Sequence, residues 1–378
     1  MRKVVLIFVF IFLGFAIQAQ ESFLFKGQAS SWLHYSAENE NSLMWGGRYL
    51  PQINFSKAFK NDRQFDFETS ANIFGSLIFN KNEETLDFDG QIKPYRAWMR
   101  YSDKQFEVRA GLQKINFGSA SMFRPLMWFD EVDARDPLKL TDGVWGLLAR
   151  YYFLNNANVW LWALYGNEQA RGWEYAERNM DYPEYGGRLQ FPFLKSEMGF
   201  SFHHQMIDAR TISIVNFPFE SVSENKIGYD IKIDWLLGLW FEGVWSKKNA
   251  DLGFLKNQEM MTVGLDYTFA IGNGLYFITE HFLASNDEKA FQFKQSIHLT
   301  ATSFSYPIGL FDNISTIFYY DWTNNSAYNF VNWQKQFNKW SLQLMAYWNP
   351  EHSVLPSAGD PSRLYGGKGI QVMLIFNH

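Results

Sequence analysis

Apolar and polar residues alternate with a period of two along almost the whole chain, and helical spacing is nearly absent. Val108, Ala110 and Leu112 alternate with Glu107, Arg109 and Gln113, and Trp145, Leu147, Ala149 and Tyr151 alternate with Gly146 and Arg150. Successive strand residues point to opposite faces, so each such segment has one greasy and one polar face. The pattern predicts strands over 23–35, 45–59 and 65–73, then Tyr95, Ala97, Met99 and Tyr101 against Arg96, Trp98 and Arg100, then the two segments just named. It continues over 159–165, 185–191, 198–206, 227–235, 239–245, 261–269 and 275–283, and on through 297–306, 314–322, 328–337, 340–348 and 370–376.

Tight turns fall at 60–62, 102–104, 154–156, 192–194, 236–238 and 272–274, the last a Gly-Asn-Gly hairpin signal. Longer links at 80–87, 167–183, 207–224, 246–256 and 349–365 separate them, so short and long links alternate, beginning with a long one. Outer-membrane barrels pair short periplasmic turns with longer extracellular loops, whereas a soluble sandwich has no reason to keep that asymmetry. The predicted fold class is all-β: a transmembrane, antiparallel, up-and-down β-barrel of about eighteen strands, with sixteen as the alternative. Ile370, Val372, Leu374 and Phe376 give the last strand an apolar outer face ending in an aromatic. That resembles the C-terminal assembly signal of such barrels. It implies outer-membrane lipid and the barrel assembly machinery as partners, in the outer membrane of a Gram-negative bacterium.

Composition sharpens this picture. Aromatic residues make up 19% of the chain, an excess with a use at membrane–water interfaces and in strands. The mean hydropathy of −0.26 suits a barrel, in which only alternate residues face lipid. No cysteine is present, which excludes disulfides, thiolate metal sites and a cysteine nucleophile. A net charge of −5 and the lack of any basic block argue against nucleic acid as a partner. Met1-Arg2-Lys3, the apolar run 4–17 and Gln18-Ala19-Gln20 read as a signal peptide over 1–19, cleaved after Ala19, with the barrel over 20–378.

The longest non-alternating segment, about 117–142, interrupts the wall between two strands. It carries Arg124, Arg135, Asp130, Asp133 and Asp136 on apolar bulk that includes Met122, Phe123, Leu126, Trp128 and Phe129. Left in water, that bulk would expose a sizeable apolar patch. The loop is therefore expected to fold inward, with Trp128 and Phe129 on the wall and Arg124, Arg135 and Asp133 across the pore beside Arg109 and Arg150. A receptor-like surface loop is the alternative.

Charged faces of the strands are expected to line the lumen. Arg96, Arg100, Arg109, Arg150 and Arg188 form an expected basic wall, extended by Arg124 and Arg135 at the constriction. Asp66, Glu68, Asp230, Asp234, Glu242, Asp266 and Glu280 form an expected acidic wall opposite it. Such a transverse field would orient a charged or dipolar solute. The contrary expectation is pairing of these charges across strands in a plugged barrel. The loop acids could ligate calcium, but salt bridges with Arg124 and Arg135 are the simpler use, and no metal or cofactor is expected. His203 and His204 cannot share one face. His34, His281 and His298 are not matched by a serine in a recognisable motif, so an enzyme is not expected.

Gly111-Leu112-Gln113 through Asn116-Phe117-Gly118 is similar to the strand end of alginate-export-like outer-membrane porins. Pro125-Leu126-Met127-Trp128, Arg135 and Asp142-Gly143 resemble the elements that follow it in that family. The resemblance implies a monomeric eighteen-stranded barrel with a charged, partly occluded pore. Three functions are left in play. The first is a porin-like channel for a small polar solute, anionic or saccharide. The others are a plugged barrel for surface binding or polysaccharide export, and an outer-membrane lipid hydrolase.

Overall fold

The computed structural model describes residues 21–37, 42–80, 85–212, 218–351 and 365–378. The expected signal peptide, and the greater part of the 349–365 link, lie outside the described residues.

Eighteen antiparallel strands form one closed sheet in which each pairs with its neighbours in sequence, and β1 (Glu21–Ser36) pairs with both β2 (Ser42–Ala58) and β18 (Lys368–Asn377). The wall continues through β3 (Gln64–Asn80), β4 (Thr85–Ser102), β5 (Phe106–Gln113), β6 (Val144–Tyr152), β7 (Asn158–Leu164), β8 (Glu184–Phe193) and β9 (Ser196–Asp208). It proceeds with β10 (Ser221–Asp234), β11 (Gly238–Lys248), β12 (Asn257–Phe269), β13 (Leu275–Asp287) and β14 (Ser296–Pro307). The remaining strands are β15 (Asp312–Asp321), β16 (Ser326–Gln336) and β17 (Trp340–Trp348). The expected barrel is thus the observed one, with eighteen strands rather than sixteen. Closure runs from Gln28 opposite Asn377 to Ser36 opposite Gly369, so no sheet edge is left between these strands.

Several strands are longer than their alternation suggested. β10 begins at Ser221, where a link was expected to run to 224, and β13 reaches Asp287. Pro192, expected in a turn, lies within β8 opposite Glu197, and the link shrinks to 194–195. Links at one end of the barrel are short: 59–63, 103–105, 153–157, 194–195, 235–237, 270–274, 308–311 and 337–339. Those at the other end include 114–143 and 165–183, but also 322–325, so the alternation of link lengths is strong without being strict.

One irregularity explains a residue that alternation misplaced. Ala71 pairs with Pro94 while Ser70 pairs with Arg96, so Tyr95 is an extra residue in β4. Proline has no N–H to give the ladder, and a bulge is where a strand tolerates that. Outward-facing residues are even-numbered before it (Leu86, Phe88, Ile92) and odd-numbered after it (Met99, Tyr101). The flip turns Lys93 as well as Arg96 into the lumen.

The outer face is exposed and apolar, as Leu147, Leu161, Leu189, Val263, Leu344 and Val372 illustrate. The principal buried cluster lies inside the barrel instead. It joins loop residues Ile115, Phe117, Phe123, Leu126, Trp128 and Phe129 to inward residues such as Leu148, Trp162, Phe282, Tyr319 and Phe330.

Candidate functional site

The link 114–143 folds into the barrel. Its first half is held by two carboxylates of the far wall. Glu242 on β11 accepts hydrogen bonds from the N–H groups of Ser119, Ala120 and Leu126 at 2.9, 3.0 and 2.6 Å. Glu280 on β13 accepts from those of Ser121, Met122 and Phe123 at 2.6, 2.8 and 2.6 Å, and from Trp240 Nε1 at 3.1 Å. A hydrogen bond to a charged group contributes about 1.5–3 kcal/mol, so six backbone bonds on two carboxylates fix this segment firmly. Gly118 makes the approach possible: its φ is +101°, and a Cβ there would run into the Glu242 carboxylate.

Apolar side chains of the same segment pack as their composition implied. Trp128 meets Phe129 edge-on, and both contact the His203 ring on β9, while Phe117 stacks on Trp162 of β7. The loop charges pair within the loop. Arg124 donates to Asp130 at 2.5 and 3.1 Å, and the Arg135 guanidinium grips Asp133 through Nε and Nη2. Burial alone would lower the basicity of Arg135, but Asp133 more than offsets it and raises its pKa. Asp136 accepts from the N–H groups of Leu138 and Leu140, and burial still pushes its carboxyl above the ordinary range. Arg135 lies beside Phe330 and Tyr365, so it is not beside Arg109 and Arg150 as the sequence suggested.

A second link, 165–183, also enters the barrel. In the sequence it shows only as a longer link, 167–183. Trp173 stacks on Phe282 with centroids 4.2 Å apart. Arg178 is fully buried; it donates to Glu174, to Glu184 of β8 at 3.2 Å, and to the carbonyl of Trp128 at 2.5 Å, so it ties the two inward loops together. Glu174 also pairs with Lys226 of β10. Burial would raise the Glu174 carboxyl, but Arg178 and Lys226 together hold it far below the ordinary carboxylate range. Beneath it, Glu224 accepts from Gln205 at 2.7 Å and pairs with Lys248 at 3.0 Å. Inward alternation on β9 could have found Gln205, whereas Glu224 and Lys226 precede the alternating run of β10. The loop residues Glu174 and Arg178 had no such signal.

The expected division into a basic and an opposing acidic wall is corrected by the contacts. Arg100 pairs with Asp66 at 2.7 Å and lies 3.5 Å from Glu107. Arg109 and Arg150 reach the same Glu107 at 3.2 and 3.5 Å. Arg188 makes a bidentate pair with Asp230 at 2.6 and 2.9 Å. Acids and bases are thus interleaved on neighbouring strands, because opposite charges in low dielectric reduce each other's desolvation cost when adjacent. Glu107, on the polar face of β5 but not among the expected lumen acids, is the hub of three arginines. Glu68 lies on β3 beside this group, not across from it. Asp234 is exposed at the short-link end near Lys232, outside any wall, and Asp266 accepts from the Tyr276 hydroxyl at 3.2 Å. Arg96 donates to the Thr141 carbonyl and sits over the Tyr95 ring. Arg48, also missed, lies over the Trp32 and Phe74 rings, with no carboxylate in ion-pair range among the described residues.

His203 faces inward, accepting from Trp162 Nε1, while His204 faces outward and meets Asn225, as the strand period requires. His34 is bonded to the Tyr347 hydroxyl at 2.7 Å. His281 and His298 lie together on adjacent strands, 5.8 Å between centroids.

Space remains on one side of the inward loops. A cleft of about 1090 Å³, open mouth included, runs between loop residues Ser121, Met122, Arg135, Asp136 and Lys139 and the inner faces of β13–β17.

No family model matches the sequence, and no curated protein is similar to it at sequence level. Solved structures are similar in fold. OccAB1 of Acinetobacter baumannii superposes with a TM-score of 0.59 over 95% of this chain and 96% of its own, at 9% identity. OccK7 (OpdD) of Pseudomonas aeruginosa gives 0.58 over 96% and 99%, at 8% identity. OmpT, an outer membrane protein of Vibrio cholerae in its trimer form, gives 0.54 over 95% and 99%, at 9% identity. At such identities the likeness establishes the fold, that of an outer-membrane β-barrel.

Proposed function

We propose that the chain is a porin-like channel of the Gram-negative outer membrane, passing a small polar solute, anion or saccharide, with the 114–143 loop as its constriction. The observation that carries this reading is the inward loop bound by six backbone hydrogen bonds to Glu242 and Glu280. A loop held across a lumen narrows it and decides what passes. The end with short links is then periplasmic. A monomer is the proposed state, although the similar Vibrio cholerae protein is described as a trimer form. Deleting residues 120–139 should raise single-channel conductance in planar bilayers severalfold. Unchanged conductance and ion preference in a correctly folded barrel would remove the loop from the pore.

A second reading is favoured by the 165–183 loop, which enters the same lumen and is joined to the first through Arg178. Two fixed loops make a plugged barrel for surface binding or polysaccharide export, in keeping with the resemblance to alginate-export-like porins. Steady silence of the intact protein in the bilayer, with current on deletion of both loops, would select this reading.

A further inference from the structure

The cleft beside the loops differs chemically from the rest of the lumen. The inward faces of β14–β17 offer it Ser303, Asn313, Ser315, Asn332, Gln334 and Gln343, hydroxyls and amides without a charge. Among the described residues the inward charges concentrate on β3–β13, where Arg100, Arg109, Arg150 and Arg188 are paired with acids. Of the loop charges bordering the cleft, Arg135 holds Asp133 and the Asp136 carboxylate accepts backbone N–H groups, whereas the exposed Lys139 ammonium has no carboxylate in ion-pair range among the described residues. Two buried acceptors, Asn332 Oδ1 and Gln343 Oε1, receive no hydrogen bond from the described residues. A buried acceptor without a donor costs about 1–3 kcal/mol, and both side chains border the cleft, so a turn of either amide that brings its oxygen to a donor in the cleft is favoured. Tyr276, near the short-link end, and Phe330, near Arg135, add apolar ring faces at the two ends of the cleft.

We propose that this cleft is a binding site for a neutral, hydroxyl-rich solute of the sugar class, and that such a solute passes along β14–β17. The inference rests on the reading of the chain as a channel and deepens it by choosing between anion and saccharide. A sugar hydroxyl donates to Asn332 and Gln343 while accepting from their amide N–H groups, and its C–H face packs on Phe330 or Tyr276. An anion entering the same cleft would leave water for a wall of hydroxyls and amides, with a free cation among the described residues, Lys139, only at its loop border, which is costly in low dielectric.

The test is swelling of phosphatidylcholine vesicles that carry the purified full chain, in isotonic glucose, potassium gluconate or glucosamine hydrochloride, solutes of closely similar size. Glucose should enter faster than both charged solutes. Asn332→Leu with Gln343→Leu should slow glucose by about tenfold, the effect of roughly one net hydrogen bond. The near-isosteric Asn332→Asp, which leaves packing intact, should slow gluconate and speed glucosamine. Heat-modifiable migration on gels checks that each variant is a folded barrel. Gluconate entering fastest would route the solute past Arg48 and Arg96, overturning the sugar assignment while leaving the channel reading in place. Glucosamine entering fastest would overturn it equally. Entry of no solute, with no conductance steps, would overturn both and leave the plugged barrel.

Discussion

Glu280 is the side chain on which the geometry of the loop turns. It is a lumen carboxylate with no cation in ion-pair contact among the described residues. Its two oxygens accept from three consecutive backbone N–H groups and one indole. An amide at this position keeps one acceptor oxygen and turns an NH2 toward the N–H groups it must face. Glu280→Gln should therefore cost about 1.5–3 kcal/mol for each charged hydrogen bond lost, and loosen the loop rather than the barrel. The expected result is a noisier and larger single-channel current with unchanged heat-modifiable migration; traces indistinguishable from the parent would deny Glu280 this role. Strand alternation makes Glu242 and Glu280 legible as inward acids. That they hold a loop backbone is illegible, because backbone N–H groups carry no sequence signature.

At the scale of the element, the 165–183 loop is held by charges sealed from water. Removing one partner of such a pair costs about 3–5 kcal/mol, since the other is left buried and bare. Glu174 has a folded pKa far below its unfolded one, owing to Arg178 and Lys226. Its contribution is thus complete above the ordinary carboxylate range and is lost only as pH falls through the depressed folded value. The loop should stay docked at about pH 4 in the parent protein, whereas Glu174→Gln should release it already at neutral pH. Proteolysis of reconstituted barrels at the two pH values, with cleavage sites in 165–183 mapped by mass spectrometry, reads this directly. Cleavage of the parent loop near pH 4 but not at pH 7 would contradict the depressed pKa.

For the whole molecule, closure between β1 and β18 fixes which links share an end. The links 59–63, 103–105 and 270–274 lie together at the short-link end. With that end in the periplasm, Lys60→Cys, Asp103→Cys and Asn273→Cys should all resist a membrane-impermeant maleimide on intact cells and react after permeabilisation. The chain has no native cysteine, so each label reports one position. Strong labelling of all three on intact cells would invert the topology.

Alternation by itself determined the wall: the class of fold, the strand count to within two, the inward side of nearly every strand and the presence of an apolar loop too greasy for water. These are local properties, since a period of two sets a strand's faces and a meander pairs each strand with the next. Local pattern failed where the backbone broke its own period, as at Tyr95, where Pro94 forces a bulge and turns Lys93 inward. Only the tertiary structure decided the lumen. Asp66 meets Arg100 and Asp230 meets Arg188 instead of facing them across a pore, and Arg178 joins two loops distant in sequence. Those pairings depend on where long links settle inside a closed wall, and low dielectric there rewards whichever opposite charge is adjacent. The cleft with an uncharged strand wall along β14–β17 follows from the same choice: it is the part of the lumen that the two loops do not fill.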